Sequence, residues 1–320
     1  MRVYRGLREA AGAFGPSAVT MGNFDGVHLG HQHLLKRLVE MSRRLKVKAS
    51  IITFDPHPAC VVAPDRAPKL ISTIGQRMER MAGHGIEQAL VLEFDREFSL
   101  QSPGEFVERV LVEGAGAKGV LVGENFRFGN RQAGDTALLR QLGSKHGFEV
   151  EIAGPVTLRG RMVSSTEVRR LVQAGQMALA ARFLGRHYSV EGPVVGGHGV
   201  GSKQTVPTLN LNPAAEVLPA RGVYVTRTHD AARGRNWKSV TNVGFRPTFG
   251  GDEQINIETF LLEGFEEPSP ERIRVEFLHR LRAERKFPDA QALKGQILRD
   301  VGRSQTYQRR LKRWTGRGGE

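Results

Sequence analysis

The order of strand-like and helical patterns along the chain constrains its fold more than any other feature. Between residues 17 and 183, short apolar runs alternate with segments of helical period. The expected strands are residues 18–21, 49–54, 89–94, 119–122 and 148–152. Such alternation predicts an α/β, Rossmann-like domain with a parallel sheet, in which ligands bind beyond the carboxyl ends of the strands.

Capping signals mark where several of the intervening helices begin. Thr73 with Gln76, and Ser102 with Glu105, have the spacing of a capping box. Pro103 occupies the first helical position after Ser102, and Asp135 is placed to cap a later helix. These residues predict three helix starts within the first half of the chain.

The pattern changes after about Gly185. From residue 188 to residue 281 the chain shows short strand-like runs separated by turn residues. A helical period returns only after Asp289, in a segment that carries Leu293, Ile297 and Val301. This half therefore predicts a small antiparallel β-barrel followed by a C-terminal helix. We expect domains at residues 1–184 and 185–310, with a basic flexible tail at 311–320.

Composition excludes some classes of protein and leaves others open. The longest apolar runs are far too short for a membrane span, and the N-terminus has no apolar core like that of a signal peptide. Cys60 is the only cysteine, so an internal disulfide is impossible, and we expect a cytoplasmic location. The formal net charge of +14 suits nucleic acid or anionic small ligands, and part of it lies in the tail.

Two segments of the first half have the features of phosphate sites. In GNFDGVHLGH, residues 22–31, glycines permit tight turns, and His28 and His31 lie three residues apart where a helix should begin. Two imidazoles there could stabilise charge on a pentavalent phosphorus; a metal pair or incidental surface histidines are the alternatives. In SSTEVRR, residues 164–170, Arg169 follows a capped helix start, which by itself favours an ordinary helix with a surface arginine over a phosphate site.

The second half offers a different constellation. A glycine-rich loop at residues 196–201 precedes Thr208 and Asn210, whose oxygens suit Mg²⁺ bound with ATP. Glu258 lies within a predicted strand, and the alternation of residues 255–258 turns it away from the apolar face. A solvated strand carboxylate is the alternative interpretation of Glu258.

Together these segments resemble known families. GNFDGVHLGH, TFDPHP at 53–58, VGENFRFG at 122–129 and SSTEVR resemble the H-x-G-H nucleotidyltransferases. Within them the likeness is to the FMN adenylyltransferase module of bacterial bifunctional riboflavin kinase/FAD synthetases, many of which have Asp where this chain has Asn125. PTLN at 207–210, NIETF at 256–260 and the stretches around them resemble riboflavin kinases, although Phe260 stands where those kinases have His.

The resemblance implies ATP-dependent phosphorylation of riboflavin to FMN, then adenylylation of FMN to FAD, with Mg²⁺ as cofactor. His28, His31 and Glu258 would be the catalytic residues. The implied ATP ligands of the adenylyltransferase are Gly22, Phe24, Asp25, His28, His31, Ser164, Ser165, Thr166 and Arg169. Its implied flavin ligands are Phe54, His57, Pro58, Asn125 and Phe126. The implied ATP and magnesium ligands of the kinase are Gly199, Gly201, Lys203, Thr208 and Asn210, the last two on the metal.

Two other functions remain open from the sequence. The charge would also suit a nucleotide-binding domain joined to an RNA-binding barrel. Against this, the chain has no lysine-rich loop of the kind found in related tRNA synthetases, and its barrel strands lack runs of basic and aromatic residues. An enzyme with a single activity, whose other half has decayed, is the third possibility. The expected partners are therefore flavins and ATP, with no membrane.

Overall fold

The computed structural model describes residues 1–195, 208–247, 253–263 and 269–315. The chain divides into two compact units, Met1–Ser165 and Thr166–Glu320. Gly199, Gly201 and Lys203, which the resemblance places in the ATP site of the kinase, lie outside the described residues.

The first unit is built on a six-stranded sheet in which every neighbouring pair of strands is parallel. Its strands are β1 (Arg2–Arg5), β2 (Ser17–Met21), β3 (Lys48–Asp55), β4 (Gln88–Glu93), β5 (Ala117–Gly123) and β6 (Glu149–Ala153). Their spatial order is β1-β4-β3-β2-β5-β6, so the order of the strands reverses at β2. Ligand sites of such sheets form at this reversal, beyond the carboxyl ends of the strands. The loops after β3, β2 and β5 therefore share the expected edge.

The predicted α/β fold of this half is confirmed, and one strand is added to it. The four-residue β1 pairs with β4 along the edge of the sheet. Its sequence, Arg-Val-Tyr-Arg, has two charged residues and no apolar run, and only Tyr4 is buried. A periodicity argument has too little to detect in a strand of this kind.

Seven α-helices of the first unit flank the sheet in the described residues. They are α1 (Gly6–Ala10), α2 (Leu29–Leu45), α3 (Pro58–Val62), α4 (Ile74–Gly83), α5 (Arg96–Ser99), α6 (Pro103–Phe106) and α7 (Thr136–His146). α6 continues into a π-helical stretch, Val107–Gly114, and the hairpin β7 (Thr157–Leu158) and β8 (Arg161–Met162) follows β6. Apolar side chains fill both faces of the sheet.

The three predicted helix starts are present with their capping side chains. Thr73 accepts the backbone N–H of Gln76 while Gln76 accepts that of Thr73, and Ser102 and Glu105 make the same reciprocal pair. Asp135 Oδ1 accepts the N–H of Leu138 at 2.9 Å. Each bond satisfies an N–H group that the helix itself leaves without an acceptor.

The second unit contains a closed six-stranded barrel whose neighbouring strands are all antiparallel. The strands are β9 (Tyr188–Val195), β10 (Thr208–Leu211), β11 (Gly222–Asp230), β12 (Arg235–Pro247), β13 (Glu253–Leu261) and β14 (Arg272–Arg282). Helices α8 (Ser165–Gln173) and α9 (Met177–Leu184) precede the barrel, and α10 (Ala290–Thr315) follows it. The predicted barrel and its C-terminal helix are confirmed. α10 extends into the segment 311–320 that we expected to be a tail.

Five buried hydroxyl groups form a closed circuit inside the barrel, which we call the hydroxyl ring. Its members in order are Thr226, Ser239, Thr228, Thr259 and Thr241. Consecutive oxygens lie 2.8–3.2 Å apart, and each residue is fully buried. Because a hydroxyl both donates and accepts, every member can give one hydrogen bond and take one within the ring.

Helix α10 packs on the barrel through a polar face. Gln296, Asp300, Ser304 and Gln308 recur every four residues and are buried. Asp300 accepts from Arg282 Nε at 2.9 Å, and Gln308 Nε2 donates to the carbonyl of Thr226 at 3.3 Å. Among the described residues, no helix combines the length and apolar character that crossing a membrane would require.

Candidate active sites

The loop after β2 brings the two histidines of the first motif together. His28 is the N-cap of α2, and its Nδ1 accepts the backbone N–H of His31 at 3.3 Å. The two rings stack with centroids 3.7 Å apart and planes inclined by 16°. A Cβ at Gly30 would lie 3.1 Å from the His28 ring, so glycine permits this close approach. Both imidazoles thus stand at a helix N-terminus, where the dipole and the N–H groups favour phosphate.

The backbone of this loop adopts an unusual conformation. Phe24, Gly26 and Val27 have positive φ angles of 48°, 80° and 40°. Such angles are rare for a β-branched residue such as Val27, which is fully buried. Strained residues of this kind persist where the surrounding structure holds them, and they cluster at functional sites.

Hydrogen bonds from four other segments hold the loop. Arg77 of α4 donates to the carbonyl of Asn23 at 2.7 Å, and Ser165 Oγ donates to that of Asp25 at 2.9 Å. Gln32 Nε2 donates to the carbonyl of Val27, and the N–H of Gly26 donates to Ser72 Oγ, both at 2.9 Å. The loop conformation is therefore set by its neighbours before any ligand arrives.

The Asp25 carboxylate, expected among the ATP ligands, contacts the protein itself. It is 2% exposed and accepts the backbone N–H groups of Ile71 and Ser72, at 3.0 and 3.1 Å. Ser72 Oγ also donates to it at 3.2 Å. A carboxylate repels phosphate, so these contacts favour a bracing role over direct binding of a nucleotide.

The second loop of this edge follows β3. His57 is the N-cap of α3, with Nδ1 accepting the N–H of Ala59 at 3.1 Å. Its Nε2 lies 2.9 Å from the side-chain amide of Asn23 in the loop after β2. The two loops are thus joined side chain to side chain. Pro58, the first residue of α3, is partly buried.

More aromatic side chains lie near the carboxyl ends of β3, β4 and β5 than the sequence indicated. Phe54 is partly buried and meets Phe94 and Phe98 at centroid distances of 5.6 and 5.9 Å. Phe126 stacks on Phe128, with centroids 5.5 Å apart, while the neighbouring Asn125 is exposed. Sequence reasoning missed Phe94 and Phe98, although two phenylalanines four residues apart after a strand are a detectable signal.

The SSTEVRR segment forms the start of α8. Val168 is buried, Thr166 is exposed and Arg169 is partly buried. Glu167 binds the guanidinium of Arg170, with Nε and Oε2 2.8 Å apart. Ser164 is the last residue before the helix and is partly buried. The division between the two compact units falls within this segment.

The second unit contains a cavity of about 560 Å³. Its lining includes Asn242, Glu258 and Phe260 from the strands, Arg282, Glu284 and Phe287 from the end of β14 and the segment after it, and Leu293 and Ile297 from α10. This volume lies within the range that holds an organic ligand of moderate size. Of these residues, sequence reasoning assigned a site role only to Glu258. The stretches 241–251 and 280–287, which contain Asn242 and the segment after β14, entered the resemblance to riboflavin kinases without a role in the site.

Strand register brings the candidate kinase residues of the described part together. Asn210 of β10 is directly opposite Glu258 of β13, and Asn242 of β12 is opposite Glu258 on its other side. Ile257 and Thr259 are fully buried, whereas Glu258 is partly exposed and accepts from Asn256 Nδ2 at 2.7 Å. Thr208 lies two residues before Asn210, so it shares the face of Asn210 and Glu258.

Comparison with known proteins separates the same two regions. A family model described as FAD synthetase matches residues 12–167, and one described as riboflavin kinase matches residues 184–308. Curated proteins named bifunctional riboflavin kinase/FMN adenylyltransferase are similar along nearly the whole chain. That of Pseudomonas fluorescens is 36% identical and that of Escherichia coli 32%, each aligned over 94% of this chain and 96% of its own length.

The fold also occurs in a solved structure. A crystal structure from Streptococcus pneumoniae, described as a macrolide-efflux protein, superimposes with a TM-score of 0.84 at 25% identity. The match covers 95% of this chain and 99% of that one. The folds of both units therefore also occur in that protein.

Proposed function

The chain belongs to the family of bifunctional riboflavin kinase/FMN adenylyltransferases, and from that membership we propose which residues carry out its two reactions. It phosphorylates riboflavin to FMN with ATP, and it adenylylates FMN to FAD with release of pyrophosphate. The observation that supports the assignment of residues is that each unit has its own cluster of the side chains that the motifs predict. One is the stacked pair His28 and His31 at the start of α2, and the other is Glu258 facing the cavity of the barrel.

In adenylylation, an oxygen of the FMN phosphate attacks the α-phosphorus of ATP, and the bond to the bridging oxygen of pyrophosphate breaks. The nucleophile is already an anion, so the reaction requires alignment and charge stabilisation rather than a general base. His28 and His31 stabilise the charge that accumulates on the phosphorus oxygens. The backbone of residues 22–24, Ser164 and Ser165 complete the site for the triphosphate, and Thr166 and Arg169 are proposed as ATP ligands from the resemblance alone.

The flavin of FMN binds beside the nucleotide, against the loop after β3. His57 and Pro58 form one side of this site, and Phe54 or Phe126 packs against the isoalloxazine ring. The contacts among Phe54, Phe94 and Phe98 support this assignment, because they hold the Phe54 ring in one orientation. Asn125 is exposed and supplies an amide for a hydrogen bond to the flavin or the ribityl chain.

In the kinase reaction, Glu258 accepts the proton of the riboflavin 5′-hydroxyl as its oxygen attacks the γ-phosphorus of ATP. The bond to the bridging oxygen breaks, and ADP leaves. The position of Glu258 on a cavity of about 560 Å³ supports this role. Gly199, Gly201 and Lys203 are proposed from the resemblance alone, as binding the phosphates of ATP.

Magnesium fits the donors that the second unit presents. Thr208 and Asn210 offer neutral, hard oxygen atoms on the face of Glu258, and Mg²⁺ bound with ATP takes few protein ligands beside phosphate and water. Such an ion would therefore be held jointly by Thr208, Asn210 and the nucleotide. It would neutralise phosphate charge in the kinase reaction.

A single incubation tests both halves of this proposal. The purified chain is mixed with riboflavin, ATP and Mg²⁺, and the flavins are separated by chromatography over time. FMN should appear first and FAD later. Macrolide efflux, by which the Streptococcus pneumoniae protein is described, is not proposed for this chain, because a shared fold does not transfer an activity. A chain that produced neither flavin nucleotide would refute the proposal.

A further inference from the structure

Helix α4 carries a buried cation behind the first site. Arg77 is 1% exposed, and within the described residues its side chain makes one hydrogen bond, from Nη1 to the carbonyl of Asn23 at 2.7 Å. Its Nε atom is buried without an acceptor in the same part of the chain. Burying a guanidinium with so few partners costs folding free energy, and an apolar side chain would fill the space at lower cost. The presence of a charged side chain at this buried position therefore requires a functional explanation.

Two carboxylates provide the compensating charge, one after β2 and the other at the end of β3. Burial lowers the pKa of Arg77, while Asp25 and Asp55 act in the opposite direction by favouring the charged form. Asp25 lies in the loop after β2, and Asp55 is the last residue of β3, next to the loop of His57. Arg77 thus interacts with both sides of the proposed site.

Asn23 connects these two sides directly. Its backbone carbonyl accepts the hydrogen bond from Arg77, while its side-chain amide lies 2.9 Å from His57 Nε2. Fixing the carbonyl of Asn23 therefore also fixes the amide that meets His57. The adjacent Phe24 has a positive φ angle, so this stretch of backbone depends on its neighbours for its conformation.

The charges also matter for the substrates. The proposed reaction brings two anions, the triphosphate of ATP and the phosphate of FMN, to the edge of the sheet where Asp25 and Asp55 lie. Two carboxylates without a counter-charge would repel both substrates. Arg77 offsets that repulsion from behind the loops, without occupying the space in which the phosphates react.

We infer that Arg77 is a positioning residue for adenylylation, holding the Asn23 loop against the Asp55–His57 loop so that the FMN phosphate and the α-phosphorus of ATP meet in line. The inference rests on the proposed function of the first unit. Arg77 acts through Asn23 and the two carboxylates.

The test compares four variants of the full chain with the wild type. Arg77→Met removes the charge, Arg77→Lys keeps it, and Arg77→Met combined with Asp55→Asn removes one of the carboxylates left uncompensated. Arg37→Met is the matched control, because Arg37 pairs with Glu151 of β6 at 2.9 Å, away from both loops. Riboflavin phosphorylation by the same chain reports whether the second unit is intact.

For Arg77→Met we expect kcat/KM for FAD formation to fall about 10- to 100-fold, with higher KM values for ATP and FMN. Arg77→Lys should recover most of the activity, and the added Asp55→Asn should return the KM values towards those of the wild type. Arg37→Met and riboflavin phosphorylation should be unchanged. A merely structural loss would lower kcat through an inactive fraction while the remaining enzyme kept its KM.

Three results would overturn the inference. These are unchanged KM values in Arg77→Met, no recovery in either Arg77→Lys or the double variant, and an equal loss in Arg37→Met. If the wild type makes FAD and Arg77→Met keeps its KM values, the inference fails alone. If the wild type makes no FAD, the proposed function of the first unit fails and the inference fails with it.

Discussion

His28 combines two roles in one imidazole ring. Its Nδ1 accepts the N–H of His31 and thereby caps α2. A neutral imidazole that accepts at Nδ1 carries its proton on Nε2, so the ring can donate a hydrogen bond to a phosphate oxygen. The stacking of His31 on His28 limits how far either ring can rotate. The cap and the donor are therefore fixed by the same geometry.

Replacing His28 tests this role. In His28→Ala we expect FAD formation from FMN to fall by roughly 10²–10³-fold, as for the loss of one donor to a transition state, while riboflavin phosphorylation persists. Chromatography of both reactions provides the measurement. His33→Ala, an exposed position two residues beyond His31 on α2, is the control and should have full activity. Undiminished FAD formation by His28→Ala would remove His28 from the mechanism.

Glu258 is the corresponding residue of the second unit. Glu258→Gln keeps the size of the side chain and removes the base, so we expect riboflavin phosphorylation to fall by roughly 10²–10⁴-fold. Adenylylation of FMN supplied directly should not change. Glu263→Gln, at an exposed carboxylate paired with Lys238, is the matched control. A parallel loss of both activities in Glu258→Gln would contradict the assignment of separate sites.

At the scale of the elements, the hydroxyl ring contributes to the stability of the barrel. Each member has two neighbours in the circuit, so removing one hydroxyl leaves two others short of a hydrogen bond in the interior. An unsatisfied buried group costs more free energy than the bond it loses, because it was removed from water on folding. Every strand from β11 to β13 contributes to the circuit.

Thr241→Val tests the hydroxyl ring while preserving shape. We expect the free energy of unfolding of the second unit to fall by about 1–3 kcal/mol. Denaturant titration followed by tryptophan fluorescence reports on this unit, because both tryptophans of the chain, Trp237 and Trp314, belong to it. Thr241→Ser retains the hydroxyl and should cost less. Equal stability of Thr241→Val and the wild type would show that the circuit contributes nothing.

The stabilisation that β11 and β14 gain from the contact between His229 and Glu276 should depend on pH. His229 Nε2 lies 3.2 Å from Glu276 Oε2, and this pairing raises the pKa of His229 above its usual 6.5, against the effect of burial. The folded state therefore holds the proton more tightly than the unfolded state. The resulting stabilisation is complete below about pH 6.5 and is lost as the pH rises through the raised value.

We therefore expect the difference in free energy of unfolding between the wild type and His229→Gln to shrink as the pH rises from about 6 to about 8. Denaturant titrations at several pH values, with the same fluorescence signal, measure it. A constant difference across that range would mean that the ionisation of His229 does not contribute.

The elements also show how far sequence reasoning reaches. Caps such as Thr73 and Asp135 act within one helical turn, so their spacing predicted helix starts that the structure contains. The polar face of α10 was not predictable, because the partner that pairs with Asp300 across the interface, Arg282, lies on a strand that precedes the helix. The first site shows the same difference between local and distant contacts. The local motif predicted His28, whereas nothing near Arg77 in the sequence indicates its hydrogen bond to the distant Asn23.

At the scale of the whole molecule, the two activities draw on different sets of residues. Glu258, Asn210 and Thr208 all belong to the second unit, whereas His28, His31 and the loop of His57 belong to the first. FMN made at one site is also an ordinary substrate of the other. Each site should therefore function in a chain whose other site has been inactivated.

Mixing two inactivated chains tests this independence. Neither His28→Ala nor Glu258→Gln alone should convert riboflavin to FAD at an appreciable rate. An equimolar mixture of the two should restore FAD formation, with a lag while free FMN accumulates in solution. Chromatography over time follows both flavins. No restoration, with each variant keeping its remaining activity, would mean that FMN must pass between the sites of one chain.

The placement of Asn210 opposite Glu258 has a consequence for how such a chain can diverge. Inserting one residue within β10 or β13 would change the strand register on one side of the insertion. If Asn210 or Glu258 lay on that side, its side chain would turn towards the interior of the barrel. Insertions in the connecting loops carry no such penalty. Descendants of this sequence should therefore change the lengths of these two strands only in steps of two.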